Sequence, residues 1–352
     1  LKDVLDYFET KCAKSKAITT EAKQYIPGGV QHNLAFNYPF PICVTKAEGA
    51  FLYDLDGNKY YDFLQAGGPT ILGSNYAPVR EKVIELLNDC GPVTGLFHEG
   101  ELLLAKAKRI IKVGGAYHGW SDQMVYGLKI PGSRFFLESH GIPHSCYGTT
   151  DEVRPNDLDM LEKMLKLNKM RGGTAAVIVE PVGPESGTRP VDFNYNKEVR
   201  KLCDKYGCLF IFDEVVTGFR VGLGGAQGYF DVVPDLTIFG KIVAGGYPSA
   251  GGVGGKKEFV SGMAAGVGTM MKRAYVGGTL AANPLSSYAG YCAIQEIART
   301  NACEVAGRAG DRLAAGLKDL VNKYGLPYVV YNQGSIVHLE CTGAMSYDFS
   351  SM

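Results

Sequence analysis

Short apolar runs separated by helical stretches fill the middle of the chain, and this alternation predicts a largely parallel sheet with helices on both faces. In the clearest unit Val199, Leu202, Cys203 and Tyr206 fall at i, i+3, i+4 and i+7, so Asn196 to Tyr206 reads as an amphipathic helix. Gly207 ends it, and Cys208 to Phe212 follows as a buried strand. RIIKV (109–113), AAVIV (175–179) and LTIFG (236–240) read as further strands of the same sheet. Ahead of them the first forty residues read as a helix and a loop at Pro27-Gly28-Gly29. VTKAEGAFLYDLDGNKYYDFL (44–64) then alternates as a small antiparallel meander with Asp56-Gly57-Asn58 as its tight turn. Beyond Leu285 the pattern is helical and then becomes a strand, SIVHLEC (335–341). The expected division is an N-terminal helix and meander over 1–66, a large α/β domain over 67–284, and the start of a smaller C-terminal domain over 285–352, cut short at Met352.

Composition narrows the class of function. With 46% hydrophobic and 20% charged residues among 352, disorder and collagen-like structure are excluded. Thirty-six basic residues balance thirty-six acidic ones, so no global field favours nucleic acid or an anionic membrane surface, and a small molecule becomes the expected partner. No run approaches the ~20 apolar residues needed to cross a bilayer, and LKDVLDYFETKCAKSK is charged and helical in pattern, unlike a signal peptide. A cytoplasmic location is expected. Nine scattered cysteines form no CxxC pair, which favours reduced structural thiols. His140 and His144 are four apart, but Pro143 between them favours loop residues over a metal pair, and no metal is expected.

Ligands of open α/β sheets bind beyond the carboxyl ends of the strands, so the polar residues there carry the chemistry. RIIKV leads into Gly114-Gly115-Ala116-Tyr117-His118-Gly119, AAVIV ends in Glu180-Pro181, CLFIF in Asp213-Glu214, and LTIFG in Lys241. If the strands are neighbours, one aromatic ring, several carboxylates and one lysine converge on a single edge. That set suits an aldehyde cofactor bound as an imine. The lysine must be neutral to attack, a buried carboxylate such as Asp213 keeps a pyridine nitrogen protonated, and a ring such as Tyr117 holds the cofactor plane. Gly277-Gly278-Thr279 offers amides and a hydroxyl to a phosphate. Taken singly, Lys241 reads more readily as a solvated loop residue and Tyr117 as packing, and Asp213 reads equally as a helix cap. The combination carries the argument. Rival motifs are weak. Gly222-Leu223-Gly224 has Gln227 where a dinucleotide fingerprint needs glycine and follows no strand, and Gly255-Lys256 continues into Lys257 with Ala250 at the earlier glycine position of a P-loop.

The stretches IVEPV (178–182), FDEVVTGFR (212–220), PDLT (234–237) with Gly240-Lys241, and GTLAANP (278–284) resemble, in order and spacing, the class III aminotransferases, and most closely the glutamate-1-semialdehyde aminomutase type. Pro27-Gly28-Gly29-Val30 and Gly68-Pro69 with Ile71-Leu72-Gly73 fit as well, so the resemblance covers nearly the whole chain. It implies the fold-type I architecture, with a mostly parallel seven-stranded sheet and a smaller α+β domain, a homodimer, and pyridoxal 5'-phosphate as cofactor. It further implies Lys241 as the Schiff-base lysine, Asp213 for the pyridine nitrogen, Tyr117 for stacking, and Gly278 and Thr279 for phosphate. His118 and Val215 are expected to line the cofactor site and Glu185 to face the substrate. The expected reaction is transfer of an amino group between an amino acid or amine and a carbonyl compound. The aminomutase reaction, racemisation or epimerisation on the same residues, and a non-catalytic paralogue are the alternatives. Three departures matter. A Ser-Gly-Thr-Glu-Ala phosphate loop would lie between GELLLAKA and RIIKV, which here abut near Lys108, implying that a segment is missing from the sequence. A tryptophan before the Gly-Pro is replaced by Gly67, and a substrate-binding arginine would fall at Ala35, which together point to a different amino substrate.

Overall fold

The computed structural model describes residues 2–26, 29–30, 38–64, 70–90, 109–119, 121–125, 142–247, 251–260 and 284–341. The chain forms two compact units, Leu1–Asp89 and Cys90–Met352.

In the first unit the expected N-terminal helix is two helices, α1 (Lys2–Lys11) and α2 (Ala13–Ala22), broken at the fully buried Cys12. The meander is present as strands β1 (Val44–Glu48), β2 (Phe51–Asp54) and β3 (Lys59–Tyr61), antiparallel in that order. Gly57 takes φ +87 in the turn, where a side chain would be strained. The same turn caps α2: the Asp56 carboxylate accepts from the backbone N–H of Lys14 at 2.9 Å and Ser15 at 3.2 Å. Helix α3 (Ala77–Cys90) buries Val79 and Val83, one turn apart.

The second unit is built on a six-stranded sheet, among the described residues, where the resemblance implies seven. Its strands are β4 (Arg109–Val113), β5 (Thr150–Val153), β6 (Thr174–Val179), β7 (Leu209–Asp213), β8 (Leu236–Phe239) and β9 (Gly252–Gly255), in the order β5-β4-β6-β7-β8-β9. All neighbours run parallel except β9, which pairs antiparallel with β8. From β4 the chain steps to β5 on one side, then returns past β4 to β6 and continues outward through β7 and β8. In open α/β sheets such a reversal is where ligands bind, beyond the carboxyl ends of the strands, here β4 and β6.

Helices follow the sequence pattern closely. In α4 (Leu158–Lys169) Asp157 caps the N-terminus by accepting from Met160 N at 2.8 Å, while Leu161 and Leu165 are buried. In α5 (Tyr195–Tyr206) Val199 and Cys203 face inward and Gly207 ends the helix at φ +64. These residues join Ile111, Val177, Val179, Phe210, Phe212 and Phe230 in the main core on one face of the sheet. Helix α6 (Gly225–Phe230) begins where Glu214 accepts from Ala226 N at 2.6 Å and Gln227 N at 3.3 Å. Its N-terminus is therefore taken by the protein's own carboxylate, in keeping with the weakness of the dinucleotide fingerprint there. Helices α7 (Pro284–Arg299) and α8 (Ala302–Tyr324) lead into a hairpin, β10 (Tyr328–Gln333) and β11 (Ile336–Cys341). The sequence pattern reveals β11 but not β10. Among the described residues no helix is long and apolar enough to cross a membrane.

Candidate active site

The strand order β4-β6-β7-β8 makes neighbours of the four strands whose ends carry the polar residues, and all four run in the same direction. Beyond β4, Gly114 N donates to Val153 O at 2.7 Å and Ala116 N to Val113 O at 3.1 Å, forming a tight turn. The buried Lys112 secures it by donating from Nζ to Ala116 O and Met124 O, each at 3.2 Å. The turn delivers Tyr117 and His118 in opposite environments. The Tyr117 ring is 51% exposed, open to a partner, whereas the His118 ring is buried.

His118 Nδ1 lies 2.7 Å from Asp213 Oδ2 at the end of β7. An ionised aspartate only accepts, so Nδ1 carries the proton. The other Asp213 oxygen accepts from Val215 N at 3.1 Å, which uses the backbone of Val215 to orient the carboxylate. His118 Nε2 is buried with no hydrogen-bond partner among the described residues. The neighbouring Glu214 points away into the structure, to Thr217 and the start of α6, so the adjacent carboxylates separate into one site residue and one helix cap.

Glu180, at the end of β6, is buried and gathers four donors. Its Oε1 accepts from Tyr117 N at 2.9 Å and Glu185 N at 3.0 Å, and its Oε2 from Ser186 N at 2.6 Å and Ser186 Oγ at 3.3 Å. Burial pushes its pKa above the usual carboxylate range, and the backbone N–H groups of Tyr117 and Ser186 oppose that shift. The turn it holds is unusual, because Glu185 and Ser186 both take left-handed backbone angles, at φ 49° and 58°. Such conformations persist only where surroundings over-determine them, and they concentrate at functional sites.

Lys241, after β8, also has positive φ, at 51°. It opens a 3-10 turn, Lys241–Ala244, after Gly240, where a β-carbon would come within 3.1 Å of the Val215 side chain. Burial lowers the Lys241 pKa, the charge of Glu180 opposes that, and the charge of Arg220 adds to it. Arg220 is itself buried, which brings its pKa down to about 10. Behind the turn, α7 approaches through Gly290, whose added β-carbon would sit 1.9 Å from Val243 O. On the other side of the contact a β-carbon on Gly245 would sit 2.5 Å from Ala289 O. Two backbones thus touch where only glycine fits.

The residues singled out in sequence that are described here, Tyr117, His118, Asp213, Val215 and Lys241, all belong to these strand ends. Glu185 sits on the Glu180-held turn that follows β6. Gly278 and Thr279 lie outside the described residues, as do Ala35, Gly67, His140, the neighbourhood of Lys108, Pro27-Gly28, Gly68-Pro69 and Met352. Sequence reasoning missed the anchoring by Glu180, the buried Arg220 and the glycine contact at Gly290. Only Glu180 left a signal, as a carboxylate at a strand end.

Residues 103–349 match the profile of the family Aminotransferase class-III. The chain is 33% identical, over 365 alignment positions, to glutamate-1-semialdehyde 2,1-aminomutase 2 of Lachnoclostridium phytofermentans, covering 92% of this chain and 83% of that protein. That alignment has more positions than the chain has residues, so it crosses gaps in this chain. The glutamate-1-semialdehyde 2,1-aminomutase of Ignicoccus hospitalis is 37% identical over 341 residues, covering 86% of this chain and 78% of that one. Among solved structures, an omega-transaminase from Sphaerobacter thermophilus superposes with TM-score 0.81 at 26% identity, over 95% of this chain and 84% of that one. A transaminase with PLP bound, 22% identical, gives TM-score 0.81 over 93% and 84% of the two chains. The α/β architecture is that of the fold-type I transaminases, as the sequence implied.

Proposed function

The chain belongs to the class III aminotransferases, and from that premise we propose that it moves an amino group between an amine or amino acid and a carbonyl compound, with Lys241 as the lysine that binds and services pyridoxal phosphate. The single observation that carries this reading is the set of side chains at adjacent strand ends. A lysine held toward neutrality by burial, a buried aspartate oriented by His118 and Val215, and an exposed tyrosine ring form the donor set that this cofactor requires. The orphaned buried His118 Nε2 fits a site built around a further group.

When bound, pyridoxal phosphate supplies an aldehyde that condenses with amines and a ring that accepts electrons from the carbon losing its proton. Asp213 would hold the ring nitrogen in its protonated form, and the short His118 contact fixes the orientation of that carboxylate. Tyr117 would cover one ring face, its backbone pinned by Glu180. Lys241 Nζ would hold the aldehyde carbon and, as an amine kept toward neutrality by burial, would accept and return a proton at the amine-bearing carbon, for which a lowered pKa is suited. Glu185 would face the substrate, and Gly278 and Thr279 would take phosphate. We further propose a homodimer working in the cytoplasm, with no nucleic-acid partner.

The names of the curated relatives favour a second reading, in which the amino group moves within one molecule of glutamate 1-semialdehyde. Gly67 and Ala35, at positions where the aminomutase type carries tryptophan and arginine, weigh against that reading and point to a different amino substrate. Incubating the cofactor-loaded protein with glutamate 1-semialdehyde alone, and separately with a panel of amine donors and carbonyl acceptors, distinguishes them. Transfer of the amino group to at least one acceptor in the second experiment with no isomerisation in the first is the expected result. 5-Aminolevulinate formed from semialdehyde alone would overturn the intermolecular reading.

A further inference from the structure

The turn carrying Glu185 is held from two sides. Gly183, Glu185, Ser186 and Gly187 all have positive φ, at 113°, 49°, 58° and 95°, and two of the four are not glycine. Left alone, such a segment would relax, so the contacts that resist relaxation decide where the Glu185 carboxylate stands. On one side Glu180 accepts from the N–H groups of Glu185 and Ser186 and from the Ser186 hydroxyl. On the other, three successive carbonyls are taken by the β10–β11 hairpin. His338 Nε2 contacts Ser186 O at 3.1 Å, and the Tyr331 hydroxyl contacts Gly187 O at 3.0 Å and Thr188 O at 2.9 Å.

The two hairpin residues act as one unit. Tyr331 and His338 are direct cross-strand partners, and their rings stack with centroids 4.9 Å apart and planes at 21°. A carbonyl only accepts, so His338 carries its proton on Nε2, and Nδ1 is left toward Glu340, whose Oε1 is 3.6 Å away. The approach is close, since a β-carbon on Gly187 would come within 3.3 Å of both His338 Nε2 and Gln333 Oε1.

We propose that Tyr331 and His338 are substrate-positioning residues: the hairpin locks the Glu185–Thr188 turn in its left-handed form and so fixes the Glu185 carboxylate against the amino substrate. This rests on the reading above in which Glu185 faces that substrate. Tyr331 and His338 hold the carbonyl side of the turn, whereas Glu180, which also reaches Tyr117, holds its N–H side, so the effect of the hairpin is expected to fall chiefly on the amine donor and only weakly on the cofactor.

The test uses the full chain loaded with pyridoxal phosphate, in wild-type form and as Tyr331→Phe, His338→Phe and His338→Gln. The readouts are cofactor affinity from the visible band, and KM and kcat for whichever amine donor bleaches the wild-type band. Tyr331→Phe and His338→Phe are expected to raise donor KM about tenfold, the order set by one lost hydrogen bond, with cofactor affinity within about twofold of wild type. His338→Gln retains an N–H donor and recovers most of the donor KM. In a Glu185→Ala background the hairpin substitutions add nothing further. Tyr331→Phe removes one oxygen atom and keeps the ring stack, so it remains informative if His338→Phe misfolds. A normal cofactor band with unchanged donor KM, or an equal loss of cofactor affinity, overturns this proposal alone. A wild-type protein that forms no cofactor band, or a band that no amine donor bleaches, overturns the functional reading and this proposal with it.

Discussion

Replacing Glu180 by Gln isolates the carboxylate that joins the Tyr117 turn to the Glu185 turn. The two carboxylate oxygens each serve two donors: Tyr117 N and Glu185 N on Oε1, Ser186 N and Ser186 Oγ on Oε2. A glutamine has a single oxygen and can serve one pair. Its less costly orientation puts the NH2 group at the Oε2 position, where the Ser186 hydroxyl can rotate to accept, but the Ser186 N–H then faces another donor. One stranded N–H and the loss of charge from the remaining bonds cost roughly 2–4 kcal/mol. Burial works the other way, because it raises the pKa of this carboxyl and a neutral amide escapes that penalty. The net loss expected is roughly 1–3 kcal/mol, read as a lower urea midpoint with unchanged slope in the cofactor-free protein. The sign with pH follows from the raised pKa. The contribution of Glu180 is fully present below its ordinary value of 4.5 and is lost as pH rises through its folded value, so the gap to the glutamine variant narrows upward. A variant as stable as wild type, or a gap that widens with pH, would refute this account of Glu180.

Gly290→Ala places a β-carbon 1.9 Å from Val243 O and displaces either α7 or the Lys241 turn. It is expected to cost roughly 2–4 kcal/mol by thermal or urea unfolding and to weaken cofactor attachment, while Gly316→Ala on α8, with open space around it, does neither. Lys241 has a lowered pKa, so as a base it contributes stability that is present above its unfolded value and lost as pH falls through its folded value. The pH midpoint for attachment of pyridoxal phosphate, followed by absorbance, is therefore expected below the ordinary lysine value of 10.5, and a midpoint at or above it contradicts the burial argument.

The parts of this fold that were legible in the sequence are those where burial imposes composition. β6 and β7 are unbroken apolar runs because both faces of a central parallel strand are covered, and α5 shows its buried stripe at Val199 and Cys203 between solvated positions. The strand-end residues were legible for the same reason, since each is the first polar residue after such a run. β10 was not, because YVVYNQ is half-exposed and lacks a clean alternation. The break at Cys12 escaped notice because good helix formers flank it and its cause lies in the meander, where Asp56 caps α2. The left-handed turn at Glu185 and Ser186 is invisible locally: neither residue favours positive φ, and only Glu180 and the hairpin, distant in sequence, make the conformation tolerable. Gly290 likewise reads as an ordinary small residue in a helix until the opposing carbonyl is known.

The central claim is that Lys241 carries pyridoxal phosphate at these strand ends. Its most direct test is the near-visible absorption spectrum of the protein with added pyridoxal phosphate, beside Lys241→Ala, before and after addition of a panel of amines. A band in the wild-type protein that is altered in the variant and bleached by at least one amine donor is the predicted result. No band at excess cofactor, or the same band in the variant, would contradict the account and leave a non-catalytic paralogue as the better description.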